Sequence, residues 1–180
     1  MPRVPAAGGT TKGGRMADSR GAPAQDGRRA ERLELRVPTT PTQLPAVRAM
    51  AGDLAMRMDY DLDSVEDLRL AVDEACATLA LVAATDARLT VVFETTRSGL
   101  HIDAWVPTDE GTDVPRDGFG WAVLQTLVDN VEGRPATQAD VHGGNGTAEP
   151  VAVISMDKYL PGQRPPEAVA QIGQNLSVQQ

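Results

Sequence analysis

Cysteine, histidine and aromatic residues are scarce in this chain. One cysteine, Cys76, and two histidines, His101 and His142, cannot build a disulfide framework or a cysteine-rich zinc site within one molecule. Cys76 reads as a small residue beside the core, not as a reactive thiol. Aromatics make up 3 % of the 180 residues, so alanine, valine and leucine must supply most of the interior. Such a core is light, which leaves room for a partner to complete it. No apolar run approaches the ~18–20 residues of a membrane span. The N-terminus lacks the apolar segment of a secretory leader. The expectation is a cytoplasmic protein.

Positive charge is outnumbered over most of the chain. The formal net charge is −8, yet residues 1–36 carry eight Lys/Arg against four acids and stand at +4, which leaves −12 for the remainder. An acidic body is a poor binder of nucleic acid, because phosphate affinity comes from clustered cations. It suits a protein partner with a basic face, and it also keeps a domain soluble. Residues 1–31 are rich in Gly, Pro, Ala and Arg, and 159–180 in Pro, Gln and Gly. Both read as disordered tails around one domain at 32–158. Met16 is an alternative start.

Between the tails the periodicity switches between strand and helix. Leu33, Leu35 and Val37 alternate as a strand. Thr40 and Pro41 open a helix that runs to about Met58. A polar loop, 59–63, leads to Ser64 and Asp67, which resemble a capping box. The second helix runs to about Ala84, with its apolar end at 79–84 buried. Leu89–Glu94 and Leu100–Val106 read as a hairpin. An acidic loop at 107–118 precedes a third helix, Phe119 to about Asn130, which carries Trp121, Val123, Leu124, Leu127, Val128 and Val131. A strand near Thr137–His142, a turn at His142–Gly146 and a strand at Val151–Met156 follow. The order β-α-α-β-β-α-β-β predicts an α/β two-layer sandwich: a mostly antiparallel sheet with helices on one face.

The densest chemistry lies in Asp67–Leu79. Leu68, Ala71, Val72, Ala75 and Leu79 share one helical face. Glu74 sits at its margin and Thr78 one turn later on the same side. A carboxylate at the edge of a core can hold a water or a metal in a cleft. Alternatively, Glu74 pairs with Arg69 or is solvated. Asp73 reads as a solvated neighbour, Asp67 as a cap, and Phe119 and Trp121 as core residues.

Over residues 32–157 this order resembles the GHKL (Bergerat) ATPase fold, and within it the anti-sigma factors with serine-kinase character of the RsbW, SpoIIAB and UsfX type. Leu68–Cys76 is similar to the family's N-box helix. The resemblance makes Glu74 the general base and Thr78 the occupant of a magnesium-ligating position where the family has asparagine. Asp109-Glu110-Gly111 is similar to the first glycine box, whose aspartate reads the adenine amino group. This chain has Asp113 where that box adds a second glycine, and the strand register would place the aspartate at Val106. Gly118-Phe119-Gly120 resembles the second glycine box, where glycines and a helix N-terminus meet phosphate. Gly146-Thr147 resembles a Gly-Thr pair whose hydroxyl supports the adenine-binding aspartate. The resemblance implies ATP or ADP with Mg²⁺ as cofactors, an alternative sigma factor and an anti-anti-sigma factor as partners, and often a homodimer. Three functions fit: sigma sequestration, a working serine-protein kinase, or a nucleotide-sensing module with another protein target.

Overall fold

A computed structural model describes residues 31–109, 112–141 and 146–164. The alternating segments become five strands: β1 Arg32–Pro38, β2 Arg88–Thr95, β3 Gly99–Pro107, β4 Asn130–Thr137 and β5 Pro150–Tyr159. They pair antiparallel throughout in the order β1-β2-β3-β5-β4. The helices are α1 Leu44–Arg57, α2 Leu62–Ala80, α3 Phe119–Leu127 and the one-turn α4 Gln138–Val141. Apolar residues of α1, α2 and α3 interdigitate with the inner sheet face, and Leu54, Leu68, Leu79, Phe93, Ile102, Leu124 and Ile154 are fully buried there. The expected two-layer sandwich is the observed one. Among the described residues no helix is long and apolar enough to cross a membrane.

Several boundaries differ from expectation, each for a local reason. Asp61 caps α2, accepting from the Ser64 N–H at 2.7 Å, so the helix starts before the Ser64–Asp67 pair. Asp67 instead binds Lys158 of β5 at 2.9 Å. The other end of α2 stops at Ala80, not Ala84, and Leu81 is 81 % exposed. There the chain must turn into the sheet, and the Ala84 N–H donates to the Pro107 carbonyl at 2.9 Å. Tyr60 leaves its polar loop and is buried, accepting the Leu100 N–H at 2.9 Å and donating to the Lys158 carbonyl. The fourth strand is Asn130–Thr137, not Thr137–His142, and Val131 lies on it opposite Met156, not on α3. Gly133 and Pro135 disguise it, yet an edge strand tolerates proline. Residues 138–141 are helical because Asp140 accepts from both the backbone and the hydroxyl of Thr137, at 2.8 and 2.7 Å. The turn expected at His142–Gly146 and most of both tails lie outside the described residues.

The outer sheet face holds a small apolar cluster of Trp105, Val151 and Val153, on which Val141 of α4 packs. Arg36 lies 6.0 Å above the Trp105 ring, a cation–π distance. The rest of that face is polar around His101. Its Nδ1 lies 2.7 Å from Asp157 and its Nε2 3.3 Å from Asp103. The bonds to Asp103 and Asp157 outweigh desolvation and push the imidazole up to about 10. Burial works to raise both aspartates, but the bonds from His101, with Ser155 on Asp103 and Asn130 on Asp157, hold them below the usual carboxylate range. The unfolded imidazole titrates near ~6.5. The cluster's stabilisation is therefore complete below that value and is lost as pH rises through the folded value near 10. On the acid side the aspartate contribution is present above the ordinary carboxylate pKa and fades as pH falls through the lowered folded values. Thermal melts followed by circular dichroism should show the midpoint falling between neutral pH and about pH 10. In His101→Gln that alkaline fall should be smaller; an equal fall would show that the cluster contributes nothing.

Candidate functional site

The site is built where α2 meets the start of α3. The apolar stripe of α2, from Leu68 to Leu79, is fixed against the sheet and leaves Glu74 at its half-buried margin. Trp121 and Leu124 anchor α3 in the core. Val114 of the preceding loop is also buried, and it packs with Trp121 over Gly133, where an added Cβ would meet Trp121 at 3.0 Å and Val114 at 3.1 Å. The two helices run antiparallel. At one end Lys158 Nζ joins Asp67 of α2, at 2.9 Å, to the Leu127 carbonyl of α3, at 2.7 Å. At the other end Gly120 faces Glu74: a Cβ on Gly120 would lie 1.9 Å from Glu74 Oε1. Glycine is what lets the carboxylate reach the first turn of α3.

That first turn is a place for negative charge. Gly118 is its N-cap, in extended conformation, and as a glycine it offers the first-turn N–H groups no side-chain cap. The positive end of the helix dipole favours a carboxylate or a phosphate. Among the described residues no cation pairs with Glu74. Arg69 pairs with Glu66 at 2.6 Å and lays its guanidinium over Gly52, where a Cβ would meet Nε at 2.3 Å. Asp73 is not a solvated neighbour: its Oδ2 lies 2.7 Å from Arg48, and its buried Oδ1 has no hydrogen-bond partner among the described residues. Cys76 is buried beside it, and desolvation, with the Asp73 charge second, pushes the thiol up to about 12. It sits in the core, as expected from the sequence.

The remaining site candidates fall as follows. Thr78 is buried one turn beyond Glu74. Gly118 is open, with nothing within 4 Å of an added Cβ. Asp109 is exposed just past β3, and its carbonyl accepts the Thr112 N–H at 3.2 Å. Gly111 lies outside the described residues. Thr147 is exposed before β5, its carbonyl accepting the Ala139 N–H at 2.9 Å. Glu74 and Gly120 thus meet at the α2–α3 junction, with Gly118 at the start of α3 and Thr78 one turn further along α2. Asp109 and Thr147 flank the β3–β5 corner, where the Thr108 N–H donates to the Pro150 carbonyl at 3.1 Å. The bond from Ala84 to Pro107 brings the end of the α2 segment to that same end of the sheet.

Phe119 contradicts its reading as a core residue, since it is 85 % exposed. Trp121 takes the inward position on α3 instead. Val114, Thr108 and Arg48 were not legible as site-building residues. For Val114 a signal existed: it is the one aliphatic side chain in the acidic loop 107–118.

Comparison with known proteins bears directly on this arrangement. The model of the histidine kinase-like ATPase domain matches residues 37–143. The anti-sigma-F factor RsbW of Mycobacterium tuberculosis is 36 % identical over 133 residues, covering 73 % of this chain and 79 % of that protein. The serine-protein kinases RsbW of Bacillus velezensis and Bacillus subtilis are 26 % and 25 % identical over 153 and 156 residues, covering 88 % and 89 % of their lengths. The match spans α1, α2, the β2–β3 hairpin and α3, which together carry Glu74, Thr78, Gly118 and Gly120. The chain belongs to the histidine kinase-like ATPase family and, within it, to the RsbW anti-sigma factors.

Proposed function

We propose that this chain sequesters an alternative sigma factor, and that nucleotide held at the α2–α3 junction supports phosphoryl transfer to a serine of an anti-anti-sigma protein. The observation that supports it most is the seat of the Glu74 carboxylate on Gly120, at the uncapped N-terminus of α3. The acidic body, at a net −8 for the whole chain, favours a partner with a basic face. Working beside RNA polymerase, the protein would be cytoplasmic.

The residues present fit a nucleotide. The first-turn N–H groups of α3 would receive phosphate oxygens, and Asp109 would accept from the adenine amine. Bound ATP with Mg²⁺ would supply the transferable phosphoryl group and offset its charge. Among the described residues no cluster of three or more His, Cys, Asp or Glu could hold a metal ion. Mg²⁺ keeps several waters and takes phosphate oxygens, so one protein group, the Thr78 hydroxyl, would complete its shell and leave Glu74 free as the base. Glu74 accepts the proton of the partner's serine hydroxyl as the oxygen attacks. Gly120 leaves the carboxylate room to approach, and Thr78 offers its hydroxyl one turn away. Thr78, where the family has asparagine, is a weaker ligand. It favours a second reading, in which nucleotide modulates sigma binding without transfer.

Calorimetric titration of ATP·Mg and ADP into the purified chain tests the nucleotide claim. Saturable binding is expected in the native protein and strong loss in Asp109→Asn. A sigma factor from the same genome should co-purify with the chain. Nucleotide binding and sigma binding without any phosphate transfer would select the second reading. Absence of both would overturn the proposal.

A further inference from the structure

The geometry points to Phe119 as the apolar anchor on which the phosphate-accepting partner docks, an inference that rests on the kinase half of the function proposed above. The chain has two phenylalanines. Phe93 is fully buried in the sheet, whereas Phe119 is 85 % exposed. The helix does not need that ring for its own packing, because Trp121 and Leu124 supply the inward face of α3. The next residue, Gly120, is the one that meets Glu74, so Phe119 lies one position along the chain from the residue against the proposed base. Leu70, one turn before Glu74 on α2, is 55 % exposed. Single exposed apolar side chains are ordinary. Here Leu70 stands one helical turn from a half-buried carboxylate, and Phe119 is next in the chain to the glycine which that carboxylate meets.

The surroundings say what would cover them. The described residues between β3 and α3 include Asp109, Asp113 and Asp117 against one cation, Arg116, which is tied to Asp113 at 3.1 Å. The rim beside the ring is therefore negative. The complement is a protein segment with an apolar side chain near a serine and with lysine or arginine flanking it. Interface energy concentrates in such aromatic anchors, while a charged rim sets encounter and orientation. A sigma factor could meet an acidic apolar surface too. The position near Glu74 favours the serine-bearing partner, whose hydroxyl proton is the one Glu74 would take.

The test uses the full chain and the anti-anti-sigma protein encoded in the same genome. Affinity is measured by fluorescence anisotropy in the presence of ADP, for the native chain, Phe119→Ala, Phe119→Leu and Leu62→Ala. Leu62 is the control: it is also exposed, at 74 %, but lies twelve residues before Glu74 on α2. Phe119→Ala should weaken binding at least tenfold, Phe119→Leu by less, and Leu62→Ala not measurably. ADP affinity and sigma affinity should stay within twofold in all of them. A change under twofold in Phe119→Ala overturns the inference. So does a loss that falls on sigma or on ADP instead, or an equal loss in Leu62→Ala. If the native chain fails to bind the anti-anti-sigma protein at all, the function proposed above fails with it; a native chain that binds normally beside an unaffected Phe119→Ala defeats only the anchor.

Discussion

Glu74→Gln is expected to lower phosphate transfer to the anti-anti-sigma protein by ~10²–10⁴-fold, the usual range for removing a general base. The amide has the shape of the carboxylate and fits the same space against Gly120, but it cannot take a proton. Sigma binding should persist, because it does not require proton transfer. The competing role for Glu74 is electrostatic: a carboxylate at a helix N-terminus complements the dipole, worth about 0.3–1 kcal/mol at an exposed site. The two roles separate cleanly in one variant. A base gives a large loss of transfer with a small change in melting temperature. A dipole partner gives a lower melting temperature and transfer within about threefold of native. Labelled phosphate transfer and a thermal melt on the same preparation decide between them.

Gly120→Ala should imitate that loss by a different route. The new methyl would sit 1.9 Å from Glu74 Oε1 and 2.9 Å from its Cδ. The obstructed atoms are the far end of a flexible side chain, so the fold can yield by turning Glu74 away. Transfer is expected to fall by about 10²-fold or more, the lower end of what loss of the base itself costs. Stability should change little, and alanine even favours a helical position over glycine. The neighbouring glycine provides the contrast: an added Cβ at Gly118 meets no protein atom within 4 Å, so Gly118→Ala should fold as the native chain does and leave Glu74 in place, and any loss there should fall on nucleotide affinity. Combining Gly120→Ala with Glu74→Gln should cost no more than the worse single change, because both remove the same group from the same place. Additive losses would mean that Gly120 acts on something other than Glu74.

Much of this arrangement is legible in the sequence, and the exceptions have physical causes. Strict alternation at Leu33–Val37 and Leu100–Val106, and the helical stripe from Leu68 to Leu79, each specify one face, so those elements lie where the pattern puts them. The apposition of Glu74 and Gly120 could be anticipated only through the family's order of motifs, because no local rule links residues 74 and 120. Edge strand β4 was missed because Gly133 and Pro135 read as loop, and because its pairing with β5 is a long-range property. Asp73 and Arg48 sit on different helices, and their ion pair has no sequence signature. Phe119 was placed in the core by its chemistry alone. Helical phase decides otherwise, since Trp121 already fills the inward position of a short helix.

The placement of β5 carries a consequence for biosynthesis. It is the last strand among the described residues but sits centrally, bonded to β3 on one side and β4 on the other. Until it emerges from the ribosome, two strands that precede it each present an unpaired edge, and open edges invite association with other chains. Closing the sheet then requires β3 to receive a strand some fifty residues away, a slow kind of contact to form. A nascent chain truncated before Pro150 would therefore be a target for chaperones, not a competitor for the regulator's partners.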